Sequence, residues 1–418
     1  MKARFFAAAA LAAVLAVAAS TASARTSGAN RAAASKITVW LQVDAQTGWP
    51  DLVAAANQQF RAKHPGATVD VQYQTWGDHL QKFDATLAGG NTPDVIEMGN
   101  TEMTKYMAAG AFADISQYKG SFANSGSWLQ GLAKSGLFGG KLYGVPYYAG
   151  SRVVTYRTDA FSKAGIKTLP TSLSQFTLDL NKLASANKST QGFSPVYIAG
   201  TDWYYAMSFV YDYGGTIAYT HAHKWVGALD SPQAVAGLTA WKKFWLAASR
   251  ASKTSNEANP APYDVFSQGG AGAIIGPGWY SCCTGTKYKS VTAQFVMPSH
   301  IAGKAMPGFL GGSDLAVPAP SSNKALAADW IKDFTSTSNE KLLQSKGNIP
   351  NATNLLGNSV NERAAARSWF VPAAKHWVDV ENGNILRTML SEILSGKFTV
   401  LQAATLASDN ITATLNQP

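Results

Sequence analysis

Charged side chains are scarce in this sequence and cysteine is almost missing. Of 418 residues, 14% are charged and 46% are hydrophobic. The only two cysteines, Cys282 and Cys283, are adjacent. They cannot by themselves supply a zinc or iron–sulfur ligand set. In an oxidising compartment they would bond to each other, but neighbouring Cα atoms about 3.8 Å apart lie below the usual disulfide span of about 4.4–6.8 Å. A vicinal bridge and two free thiols both stay open. The six histidines are dispersed; the one H-x-H, His221 and His223, is expected in a surface loop. H-E-x-x-H, P-loop and G-x-S-x-G patterns are missing, so no cofactor, no metal and no catalysis are expected. The formal charge is +10, yet the Lys and Arg residues form no dense basic run interleaved with aromatics. A nucleic-acid partner is therefore not expected.

Long apolar runs are missing too, with one exception at the N-terminus. Lys2 and Arg4 precede an Ala/Val/Leu run from Phe5 to about Ala19, followed by Ala22-Ser-Ala24. The run is shorter than the roughly 20 residues a membrane span needs, and the small-residue site after it marks a secretory signal peptide, 1–24. Residues 25–35 read as a flexible Ala/Ser/Thr leader. The signal region contains no Cys, so no lipobox anchors the exported chain, whose place would be periplasmic or extracellular.

What remains is long and rich in rings: 12 Trp, 16 Tyr and 18 Phe. This length exceeds one comfortable core, so two lobes are expected. Ile37-Thr-Val-Trp-Leu-Gln-Val43 reads as a strand. A helix opens at Pro50 and stops at His64-Pro-Gly66. Thr68-Val-Asp-Val-Gln-Tyr73 alternates as a second strand. A helix carrying Leu80, Phe83 and Leu87 ends at Gly89-Gly90, and Asp94-Val-Ile-Glu-Met98 is a third strand. This βαβαβ order predicts a parallel sheet flanked by helices. Later, Val153-Val-Thr-Tyr-Arg157, Ala271-Gly-Ala-Ile-Ile-Gly276 and Asp314-Leu-Ala-Val317 read as strands. Helices are expected after Ser172, from Pro232, over 325–335 and around Ile385–Ile393.

Several pieces in order resemble the extracellular sugar-binding proteins of ABC importers, the group that includes maltose-binding protein. They are Leu87-Ala-Gly-Gly-Asn-Thr-Pro-Asp-Val95, Gly140-Lys-Leu-Tyr-Gly-Val-Pro146, Tyr156-Arg-Thr-Asp-Ala-Phe161, Phe266-Ser-Gln-Gly269 with Gly276-Pro-Gly-Trp279, Gly311-Gly-Ser-Asp-Leu-Ala316 and Gly347-Asn-Ile-Pro350. The resemblance implies an α/β fold of the two-lobed periplasmic-binding-protein type, class II, with a multi-crossing hinge. The implied lobes are 36–147 with 311–350, and 148–310 with 351–418. It implies capture of a small oligosaccharide by a monomer, with closure about the hinge and delivery to membrane permease subunits.

A sugar offers an apolar C–H face to aromatic rings and a rim of hydroxyls to fixed polar groups. The resemblance places a sugar-contacting carboxylate at Asp44, with Gln42 two residues earlier, and polar contacts at Asn100 and Thr101. On the hinge it points to Tyr147, Tyr148, Ser151 and Arg152; Gly150 and Ser151 stand where relatives often carry an acidic residue. Trp76, Asp202, Trp203, Tyr204 and Trp279 are the ring-bearing or neighbouring candidates, with Tyr204 matching the relatives' stacking aromatic. Gly312, Ser313 and Asp314 complete the ligand-binding set. Trp241 and Trp245, at helical spacing, are expected in the core. The competing reading is a secreted carbohydrate-active enzyme, a lyase or hydrolase, but no carboxylate pair marks itself out.

Overall fold

A computed structural model describes residues 36–417. The expected signal peptide and leader lie outside them. Two α/β lobes are seen, each built on its own sheet.

The first lobe carries a six-stranded sheet in the order Ile349–Pro350, Gly144–Gly150, Gly311–Ala316, Val95–Gly99, Lys36–Gln42, Thr68–Gln74. Lys36–Gln42 pairs in parallel with both Thr68–Gln74 and Val95–Gly99, as the βαβαβ reading predicts. The helix Pro50–Lys63 begins with proline at its first turn, where the missing N–H costs nothing, and buries Leu52, Val53, Ala56 and Phe60. The next helix, His79–Gly89, ends on Gly90 at φ 72°, a left-handed cap suited to glycine. Trp330 and Phe334 of the helix Lys324–Phe334 fill the same core as Phe60.

The second lobe is built around a three-stranded antiparallel sheet with Arg152–Arg157 between Ala273–Pro277 and Thr292–Phe295. Helices Leu173–Ala186, Trp203–Asp212, Pro232–Ala248, Ile385–Ser395 and Val400–Leu415 pack into one core. Ser172 caps the first of these through Gln175 N–H at 3.2 Å. Trp241 and Trp245 are buried there, as their spacing predicts. His223 sits in the tight turn of a hairpin, Ala218–His221 with Lys224–Gly227, at φ 64°.

The chain crosses between lobes where strands of the two sheets abut. Gly144–Gly150 belongs to the first sheet and Arg152–Arg157 to the second. The division expected at 147/148 thus falls inside a strand, because Tyr148, Ala149 and Gly150 keep their ladder to Gly311–Ser313. The return crossing is sharper: Gly308–Phe309 pairs with Ser368–Trp369, while Gly311 onward joins the first sheet. The division expected at 350/351 likewise falls too early, because Ala352 still packs in the first lobe's core.

Candidate functional site

A cleft of about 510 Å³ opens at these crossings. Asp44, Trp49, Trp76, Tyr148 and Ser313 line it from the first lobe, Pro277 and Trp279 from the second, and Gly150, Ser151, Arg152, Phe309, Gly311, Gly312 and Asn348 from the hinge.

Strand alternation decides which hinge residues reach it. Successive side chains of a strand point to opposite faces. Tyr148 lines the cleft, whereas Tyr147 turns into the core, edge-on to Phe334 at 4.8 Å and accepting a hydrogen bond from Trp49 Nε1. Likewise Ser313 lines the cleft, and Asp314 points away to accept a 2.5 Å hydrogen bond from Ser135 Oγ. Burial pushes the Asp314 carboxyl up to about 7. Gly312 lies so close beneath Tyr148 that a Cβ would meet its carbonyl oxygen at 2.1 Å.

Two indoles stand out into the cleft, Trp76 at 41% and Trp279 at 57% exposure. Trp76 follows the strand Thr68–Gln74, and its Nε1 donates to Asp44 Oδ2 at 2.7 Å. Its ring stands edge-on to His79 at 5.2 Å. His79 Nε2 pairs with Glu102 Oε2 at 2.9 Å; burial alone would lower its pKa, but the carboxylate outweighs this and the net shift is upward. Trp279 lies in the 3₁₀ helix Gly278–Cys283, edge-on to Tyr280 at 4.7 Å. Gly278 is needed for this helix to seat: a Cβ there would meet Asn361 Oδ1 at 2.0 Å. Cys283 is disulfide-bonded. The sequence holds one other cysteine, the adjacent Cys282, whose side chain lies outside the described set.

Most of the remaining candidates sit behind the lining. Gln42 is buried at the end of the first strand, and its backbone N–H donates to Glu97 Oε2 at 2.9 Å. Glu97 is buried, which pushes its pKa up to about 7. Asn100 clamps the hinge: its Nδ2 donates to Leu310 O at 2.8 Å and its backbone N–H to Gly312 O at 2.9 Å. Thr101 falls in the turn after the third strand, outside the cleft lining. Asp202 is a buried helix cap that accepts from Tyr205 N–H. Trp203 is buried against Tyr204 at 3.9 Å and against Trp377 at 6.0 Å. Tyr204 is half-buried, with Arg152 over its ring at 4.6 Å. Ser151 lines the cleft while its Oγ donates to Asn361 O at 2.7 Å.

Sequence reasoning passed over Trp49 and Asn348, which line the cleft. Trp49 had a signal, an apolar residue directly before an N1 proline, but that pattern equally marks the entry of a helix. Among the described residues no group of His, Cys, Asp or Glu is arranged to hold a metal ion, and no helix is long and apolar enough to cross a membrane.

The profile of bacterial extracellular solute-binding proteins matches residues 42–341. The chain belongs to that family. A solute-binding role follows, for a fold whose two sheets meet at an open cleft. The diacetylchitobiose binding protein DasA of Streptomyces coelicolor is 33% identical over 382 residues, 88% of each chain. Among solved structures, the sugar-binding protein MalE of Xanthomonas citri superposes with a TM-score of 0.76 at 16% identity, covering 91% of this chain and 97% of that one. The maltose-binding periplasmic protein MalE of Listeria monocytogenes, solved with maltose, gives 0.75 at 20% identity, covering 92% and 100%. These structures share the solute-binding protein's two-lobed fold. The family and these neighbours are binding proteins rather than enzymes.

Proposed function

We propose that this solute-binding protein captures a short neutral oligosaccharide, a disaccharide of the diacetylchitobiose type being the first candidate, and delivers it to the permease subunits of an ABC importer. The observation that carries the reading is the pair of exposed indoles, Trp76 and Trp279, one from each lobe, on the walls of one cleft. Flat rings cover the C–H faces of sugars, and Asp44, Ser151, Arg152, Ser313 and Asn348 offer acceptors and donors for the hydroxyl rim. A cleft of about 510 Å³ lies within the range of about 300–1,000 Å³ usual for small-molecule sites. The relative named for diacetylchitobiose and the sugar-binding structural neighbours support the same class.

In this reading the protein acts as an exported monomer, periplasmic or extracellular. The two lobes shut over the ligand as near-rigid bodies. A thermal-shift screen against mono- and disaccharides tests the proposal. Stabilisation by a neutral disaccharide, without new reducing ends, is expected. New reducing ends would point instead to a carbohydrate-active enzyme, and silence toward every sugar would remove the reading.

A further inference from the structure

Arg152 and Asp44 are the two ionisable side chains that charge the cleft lining, Arg152 just past the first crossing. Its guanidinium lies 4.6 Å from the Tyr204 ring centroid, so one planar face is covered. Its Nη1 stands 3.8 Å from Asp202 Oδ2. That is too long for a hydrogen bond but close enough to pair charge. The guanidinium's N–H donors are therefore not consumed by Asp202. Asp202 is itself held behind the cleft. Its Oδ1 accepts from Tyr205 N–H at 3.1 Å, and Arg387 donates to Thr201 O and Thr201 Oγ1, one residue earlier, at 3.2 Å each. Arg387 also pairs with Glu257 at 2.7 Å. The cluster thus sets two carboxylates against two guanidiniums, with a single guanidinium reaching the cleft.

We propose that Asp202 determines specificity by acting through Arg152: it cancels the guanidinium's charge, so that the cleft uses Arg152 to donate to a neutral acceptor, a hydroxyl or amide carbonyl, rather than to bind a sugar acid. This rests on the reading that the cleft takes a sugar. An unpaired guanidinium on an aromatic ring is a strong carboxylate site. Paired with Asp202, and sharing the cleft lining with the carboxylate of Asp44, it loses that preference.

Asp202 is a positioning residue that touches no ligand, and its protonation makes the device titratable. Burial pushes its carboxyl up to about 7, Arg152 opposing and Glu257 adding to the rise. The other charged or titratable groups around it are Tyr205, Tyr280 and, beyond Tyr204, Arg387 and Glu381. Below pH 7 Asp202 is neutral and Arg152 keeps its full charge; above pH 7 the pair is formed. Selection of neutral sugar over sugar acid is therefore sharper at pH 8 than at pH 6.

The test is calorimetric titration of wild type and Asp202→Asn with diacetylchitobiose, maltose and lactose, and with the same sugars oxidised to the uronate at C6. Asparagine caps a helix as well as aspartate does, so the variant should fold, with a melting temperature close to that of wild type at pH 6, where Asp202 is neutral. In wild type at pH 8 the neutral sugar should bind at least tenfold tighter than its uronate. In Asp202→Asn that ratio should fall at least tenfold, and its pH dependence between 6 and 8 should drop to the part that Glu97 contributes. The wild-type ratio should shrink from pH 8 to pH 6 by more than the variant's does, a difference that a merely structural Asp202 would not produce. Equal ratios in wild type and variant, or a wild-type ratio flat with pH, overturn the inference while leaving the sugar reading intact. If wild type ignores all neutral sugars, the sugar reading fails and takes this inference with it. Glu97, also pushed up to about 7 near the opposite wall, would keep its pH effect in the variant, which separates the two groups.

Discussion

Trp76 and Asp44 meet across two βα connections of the first lobe, the indole Nε1 donating to the carboxylate at 2.7 Å. The bond fixes the plane of an exposed ring and leaves Asp44 Oδ1 for a second donor. Preorganisation of this kind lowers the ordering cost of binding. Asp44→Ala and Trp76→Phe should each weaken sugar binding. Their double variant should lose less than the sum, by about 0.5–1.5 kcal/mol, because the indole–carboxylate bond is shared. Calorimetric double-mutant cycles measure this, and strict additivity would show that the two groups act independently.

Trp279 should be the larger contributor. It is 57% exposed, and covering such a side chain is worth about 1.5–3 kcal/mol. Trp279→Ala is expected to weaken the sugar roughly ten- to hundredfold, to abolish most of the ligand-induced thermal shift, and to leave the melting temperature of the free protein nearly unchanged. Trp279→Phe should retain part of the affinity. An unaltered thermal response in Trp279→Ala would take this ring out of the site.

Stability should rise as pH falls from 8 toward 5. Burial pushes Glu97, Asp202 and Asp314 each up to about 7, and Glu340 is raised as well. In the unfolded chain such groups release their protons near pH 4. The folded state therefore holds more protons between about pH 4 and 7. The stability this contributes is complete below the lower value and is lost as pH climbs through the upper one, at up to ~1.4 kcal/mol per pH unit for each group. Scanning calorimetry at pH 5.5, 7 and 8 should show a falling melting temperature. Glu97→Gln should flatten the curve, and a melting temperature that climbs toward pH 8 would contradict this account.

Cys283 is disulfide-bonded, and the sequence offers only Cys282 as partner. Intact mass should therefore rise by two hydrogens on reduction. An unchanged mass would mean two thiols. Because the helix Gly278–Cys283 carries Trp279, sugar affinity measured before and after reduction reports whether that wall depends on the bond.

The wall residues show how far local pattern reaches. Asp44, Trp76, Tyr148, Ser151, Arg152, Trp279, Gly312 and Ser313 all reach the cleft lining, and each sits at a strand end, loop or hinge that the sequence marks. Tyr147, Asn100, Trp203 and Asp314 sit at the same strand ends and loops yet face inward. Sequence alone cannot separate Tyr147 from Tyr148, because both lie in an apolar run and a one-residue change of register exchanges their faces.

The amino-acid sequence by itself determined the βαβαβ order that opens the first lobe, the helix stops at His64-Pro65-Gly66 and Gly90, the burial of Trp241 and Trp245, and the family, since propensity, capping and hydrophobic periodicity are read over a few neighbouring residues. Tertiary structure alone decided the parity of the hinge strands, the entry of Trp49 and Asn348 into the cleft, and the pairing of Arg152 with Asp202. Those depend on which sheet face the helices cover and on segments far apart in the chain meeting at the crossings. Both follow from burying two cores at once rather than from any local preference.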